Sequence, residues 1–158
     1  MLWLKLVGVA MLIGGGGLAA MALNKRCENA VKLCDEWVSF VRYVKNQVEC
    51  FSLPFEEILR RRGEQLCKCG ICGVDIPKNP SELLSRGFFG DKRTAELVRD
   101  LFSDFGKYYR DEQVKRCEIC LSMLEEHAEK IRDELKSKKK LNTTLIMSAC
   151  IALAILLL

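Results

Sequence analysis

Residues 114–135 read VKRCEICLSMLEEHAEKIRDEL. Val114, Cys117, Leu121, Leu124, Ala128, Ile131 and Leu135 recur at steps of three and four. That is a heptad seam kept up over three repeats, with mostly charged residues between. One apolar stripe on a charged cylinder is an amphipathic helix that needs a partner surface.

Working outward, Val31, Cys34, Val38, Val41, Val44, Val48 and Phe51 repeat at the same spacings, with Trp37 beside them. This predicts a second long helix over 29–51. Ser52-Leu53-Pro54 breaks it, and Ser52 is positioned to cap the next helix, with Pro54 in its first turn. That helix carries Phe55, Ile58, Leu59 and Leu66 on one side and Arg60, Arg61 and Arg62 on the other. Asn79-Pro80-Ser81-Glu82 reads as a helix start, and Asp91 can cap a further helix with Leu97, Leu101, Phe102 and Phe105 on its apolar face. Gly106 suits that helix's end. No alternating apolar run suggests a sheet. The expectation is an all-α bundle of about five to six helices, with the two long ones packed antiparallel.

Charge divides the chain into three. Residues 2–23 carry only Lys5, and residues 141–158 carry no charge. The section 24–140 holds all 21 Asp and Glu and all but Lys5 of the 25 Lys and Arg, a net of +3. As helices the two ends would reach about 33 Å and about 27 Å. A bilayer core of about 30 Å needs about 17–25 apolar residues. The sequence therefore predicts a transmembrane helix at 1–23, a cytosolic bundle at 24–140 and a transmembrane helix at 141–158. Ala20-Met21-Ala22 resembles a signal-peptide cleavage site, but the weakly charged start and the Lys25-Arg26 that follow favour a retained anchor. Lys25 and Arg26 close the first span, and Lys136 and Lys138, Lys139 and Lys140 precede the second, so the basic flanks put the bundle in the cytoplasm. Gly15-x-x-x-Ala19 and Gly16-x-x-x-Ala20 in the first span are small-xxx-small pairs that permit packing or self-association.

The weak basic excess and the lack of a recognised motif speak against nucleic acid. No G-x-x-x-x-G-K-[ST] phosphate loop occurs, and the lone His127, expected to be solvated, has no paired nucleophile. Arg60, Arg61 and Arg62, with Lys25, Arg26 and Lys138–Lys140, could meet anionic headgroups, at about 1 kcal/mol per charge. The chain has nine cysteines, an odd number suited to a reducing compartment. Cys67, Cys69 and Cys72, with glycines beside them, resemble half a zinc site. Cys117 and Cys120 are the best candidates to complete it. Cys117 also falls on the seam, where it can serve as a small core hydrophobe. Both readings stand at this level.

The layout resembles a known family. Its marks are Ser52 to Leu59 (SLPFEEIL), Phe105 to Leu124 (FGKYYRDEQV-x-x-C-x-x-CL-x-x-L) and a lysine-flanked apolar C-terminus, with Gly106, Gln113, Leu121 and Leu124 at family positions. These resemble the stage III sporulation protein AB family of endospore-forming bacteria. The resemblance implies a cytosolic helical bundle similar to the cytoplasmic domain of the type II secretion inner-membrane platform protein. It implies a non-enzymatic role on the mother-cell side of a secretion-like channel to the forespore. The implied partners are the sporulation ATPase (stage III sporulation protein AA), other channel subunits and membrane lipid. No catalytic residue and no cofactor are implied. Phe51, Phe55, Phe105, Tyr108 and Tyr109, in the loops opposite the expected membrane side, are the candidates for a partner groove. The rival reading is a membrane-tethered metal or redox module built on the cysteines.

Overall fold

The computed structural model describes residues 2–73 and 75–157, with the side chains of most residues in 1–23 and 142–158 outside that description. Its order is α1 (Leu2–Phe51), α2 (Phe55–Cys69), α3 (Pro80–Arg86), α4 (Lys92–Ser103) and α5 (Arg110–Leu157). Among the described residues there is no strand, so the all-α class is as the sequence predicts. The count differs. The bundle helices expected at 29–51 and 114–135 are not separate from the terminal segments but lie within α1 and α5. The physical reason is local: no Pro or Gly stands between Leu18 and Phe51, or anywhere after Gly106.

Two units are distinguishable, Met1–Glu28 with Ile131–Leu158, and Asn29–Lys130. In the first, Lys139 pairs with Glu28. Among the described residues no helix is long and apolar enough to cross a membrane. The spans expected at 1–23 and 141–158, with their small-xxx-small pairs, fall mostly on side chains outside the description.

The second unit is built on α1 and α5. Arg42 pairs with Glu125 and Lys45 with Glu118, so one number rises as the other falls and the helices are antiparallel. Trp37, Val41 and Val44 of α1 and Cys117 and Leu124 of α5 are fully buried between them and the short helices. Burying each large apolar side chain contributes about 1.5–3 kcal/mol. The Cys34 thiol donates to the Leu124 carbonyl at 3.8 Å.

Each short helix has an identifiable stop or start. α1 ends at Ser52, which adopts a left-handed conformation (φ 51°), its N–H donating to the Val48 carbonyl. Ser52 is thus the terminator of α1 and not the cap of α2. Pro54 takes the capping position of α2 without a side-chain hydrogen bond. α3 and α4 begin as expected: Asn79 accepts from the Glu82 N–H at 2.8 Å, and Asp91 from the Thr94 N–H at 3.0 Å. α4 stops at Ser103, and Gly106 (φ 88°) turns the chain toward α5. The loop between α3 and α4 is held from α1: Trp37 Nε1 donates to the Phe88 carbonyl at 2.9 Å, and the Trp37 ring stacks on Phe89 at 5.2 Å.

Candidate binding surfaces

Four groups of residues carry the candidate chemistry. The cysteines come first. α2 ends on Gly70 in the left-handed region (φ 82°), which only glycine adopts without strain. The N–H groups of Ile71 and Cys72 then fold back onto the Leu66 carbonyl at 3.0 and 3.2 Å. The glycine between the cysteines is therefore a helix terminator. Ile71 and Cys72 point into the core. Burial, then the neighbouring Cys67, pushes the Cys72 thiol up to about 11, and burial pushes Cys117 to about 11 and Cys120 to about 12. Cys69 is raised by burial and by Glu36. The Cys120 thiol donates to the Leu97 carbonyl at 3.6 Å. Cys72, Cys117 and Cys120 are buried and pack as small apolar groups. Among the described residues no three His, Cys, Asp or Glu side chains gather so as to hold a metal ion. Cys67, Cys69 and Cys72 are not brought together with Cys117 and Cys120 in a ligand set among the described residues. The knuckle-like spacing has a different cause, a glycine-terminated helix followed by core residues.

The aromatic candidates separate. Phe55 and Phe105 lie 4.7 Å apart, and both pack on Phe102, at 5.0 and 5.5 Å. Phe40 closes the cluster at 5.9 Å from Phe102. Phe55 is only 7% exposed. It is a core residue and offers no contact surface, because α2 starts against the end of α4. Tyr109 is 89% and Phe51 66% exposed, and Tyr108 is partly so, beneath the Arg116 guanidinium at 4.4 Å.

The basic run 60–62 does not form one face. Arg60 and Arg61 both hold Glu57, at 2.8 and 2.9 Å. Hydrogen bonds from Arg60 and then Arg61 hold the Glu57 carboxyl down at about 2. Arg62 lies over the Tyr43 ring at 4.6 Å and donates to Ser39. In the other unit Lys25 and Arg26 are exposed, Lys138 pairs with Glu134, Lys139 with Glu28, and Lys140 is exposed.

His127 departs from expectation. Its Nε2 lies 2.9 Å from Asp91 Oδ1, and both side chains are largely covered. Asp91 Oδ2 also accepts from the Thr94 hydroxyl at 2.7 Å. Burial pushes the Asp91 carboxyl up, but hydrogen bonds from Thr94 and His127 outweigh it and hold it below the ordinary carboxylate value. The histidine is a clasp between α5 and the start of α4.

Sequence reading also passes over a cleft between α4 and α5, lined by Leu97, Leu101, Arg116, Ile119 and Met123. A second cleft beside it runs to Tyr108 and Glu112. The signal was available. Ile119 and Met123, four apart, lie off the heptad seam and have no place in its stripe.

What these residues describe is an all-helical protein whose notable side chains cap, clasp and pack, with surfaces left open for binding. Residues 85–158 match the family model described as stage III sporulation protein AB. The match covers just under half of the chain, and what it shows is similarity to that family, the one the sequence resembles. No curated protein and no solved structure matches the chain.

Proposed function

We propose that the chain is a non-enzymatic membrane component of the sporulation secretion-like channel between mother cell and forespore. It ties the cytoplasmic ATPase to the membrane subunits. The observation that carries this reading is the family match over 85–158. The apolar, nearly uncharged ends and their basic flanks support membrane anchoring. Exposed Phe51, Tyr108 and Tyr109 support a partner-binding end. The mechanism is positional: the apolar ends fix the bundle in the mother-cell membrane, Lys25, Arg26 and Lys138–Lys140 rest on lipid, and the bundle holds its partners.

The test is extraction and capture from sporulating cells carrying a tagged full-length chain. The reading expects the chain to stay in the membrane pellet at alkaline pH, and to retain the sporulation ATPase once solubilised in detergent. A chain released by alkali, or captured without ATPase from cells that contain it, overturns the reading.

A further inference from the structure

The loop between α3 and α4 displays a side chain that the fold does not use. Residues 86–93 read RGFFGDKR. The two phenylalanines take opposite roles. Phe89 stacks on the Trp37 ring. Phe88 is 59% exposed, although both of its backbone groups are held. Its N–H donates to the Ile71 carbonyl at 2.7 Å, and its carbonyl accepts from Trp37 Nε1 at 2.9 Å. Gly90 pins the far side of the loop. It sits in the left-handed region (φ 79°), so close to α1 that an added Cβ would stand 3.0 Å from the Ala30 Cα. A loop held at these points cannot swing the Phe88 ring into the core. The ring meets whatever lies outside.

Around it the cations face outward, and most of the carboxylates are committed elsewhere. Arg86, Lys92 and Arg93 are exposed. Glu82 accepts from the Lys78 N–H, and Asp91 is taken up by Thr94 and His127. The exposed carboxylates nearby are Asp75, 3.8 Å from Arg86, and Glu96, shared between Lys92 at 3.9 Å and Arg93 at 3.5 Å. Exposed pairs of that length are weak, and the cations can exchange them for another anion. Position adds a further constraint. The loop touches Ala30, and seven residues separate Ala30 from Leu23, the end of the segment 2–23 that carries only Lys5. Seven residues reach at most about 25 Å even when fully extended.

We propose that this loop docks on an anionic lipid surface, with the Phe88 ring at the boundary of headgroups and acyl chains and Arg86, Lys92 and Arg93 on the headgroup phosphates. A ring between bases is the chemistry of that boundary, where aromatic groups sit at headgroup level and cations meet acidic lipid. One exposed ring offers a protein partner little apolar area to bury, whereas a bilayer accepts a single ring. That a bilayer lies within reach of the loop rests on the membrane anchoring proposed above.

The experiment uses the full-length chain in vesicles whose acyl chains carry bromine near the headgroup end, a short-range quencher of tryptophan. Trp3→Phe leaves the core residue Trp37 as baseline, and adding Phe88→Trp puts a reporter on the loop without touching its backbone contacts. Unchanged helical circular dichroism shows that the exchange is tolerated. In anionic vesicles about half of the reporter's emission should be lost, because interfacial side chains lie about 5–10 Å into that boundary. The loss should be smaller in zwitterionic vesicles. Lys92→Gln with Arg93→Gln should lower the ratio of docked to undocked loop about fivefold for each charge removed. An unquenched reporter, or quenching that ignores both lipid charge and the double exchange, would overturn the proposal. So would an unquenched reporter whose emission shifts to the blue as protein is concentrated in the vesicles, because the occupant would then be a second copy. Anchoring is read separately, from Trp3 in the wild-type chain. Quenched Trp3 with a silent reporter overturns this proposal alone. Unquenched Trp3 removes the anchoring, and quenching of the reporter on mixing with preformed vesicles still decides whether the loop binds lipid.

Discussion

Replacing Asp91 tests how the start of α4 is held. Asp91→Ala removes the oxygen that accepts from the Thr94 N–H at 3.0 Å, the cap of α4. Loss of such a cap costs about 1 kcal/mol. It also removes the acceptor of the Thr94 hydroxyl, and Thr94 is fully buried. An orphaned buried hydroxyl costs about 1–3 kcal/mol more. His127, largely covered, also loses its partner, so the two costs above set a lower bound. The expected total is at least about 2–4 kcal/mol. Asp91→Asn keeps a capping oxygen and an amide that can serve the hydroxyl, and should cost about 1 kcal/mol. The carboxyl of Asp91 is held below its unfolded value. Its contribution is therefore fully present above the unfolded carboxylate range, about pH 4, and is lost as pH falls through the lower folded value. Guanidinium unfolding of the full-length chain, followed by helical circular dichroism, measures all three proteins. A cost below about 0.5 kcal/mol for Asp91→Ala would refute the reasoning. So would a gap between wild type and Asp91→Asn that stays constant from neutral pH to well below pH 4.

Three further outcomes follow from packing. Leu124→Ala empties a fully buried seam position and should cost about 2–5 kcal/mol in the same unfolding assay, where a cost under 1 would deny that the seam is core. Gly87→Ala places a Cβ 2.6 Å from the Leu83 carbonyl oxygen, near Phe89 and Trp37. It should destabilise by about 1–3 kcal/mol and blue-shift or broaden Trp37 emission, whereas a neutral result would mean that the 87–89 loop is not pinned to α1. With iodoacetamide at mildly alkaline pH, exposed Cys50 should react at least a hundredfold faster than Cys117 and Cys120, which are buried and pushed up to about 11 and 12. Comparable rates, read by peptide mass analysis, would contradict the core placement of those two thiols.

Much of this architecture is legible in spacing alone. The α5 seam, the apolar face of α4 and the starts at Asn79 and Asp91 are local patterns, set by the helix period and by side chains that reach their own backbone. What escapes is fixed by partners far along the chain. His127 reads as a solvated residue until Asp91, 36 residues away, is seen beside it. Phe55 reads as a loop aromatic until α4 delivers Phe102 and Phe105 onto it. The cysteines of 67–72 imitate a metal knuckle because a glycine-ended helix and a zinc turn use the same left-handed residue, and only the surroundings of Cys117 and Cys120 tell them apart. Ser52 carries a capping side chain, but its backbone conformation makes it a terminator. Of the candidate surfaces, exposed Tyr109 and Phe51 were in reach of sequence. The α4/α5 cleft needed both helices in place.

The central claim is that this chain serves the channel that supports the forespore. It is tested most directly by deleting its gene and following sporulation with a membrane dye, with the wild-type gene restored as control. The account predicts normal vegetative growth, arrest around or after engulfment, and rescue by the restored gene. Normal spores from the deleted strain would contradict it.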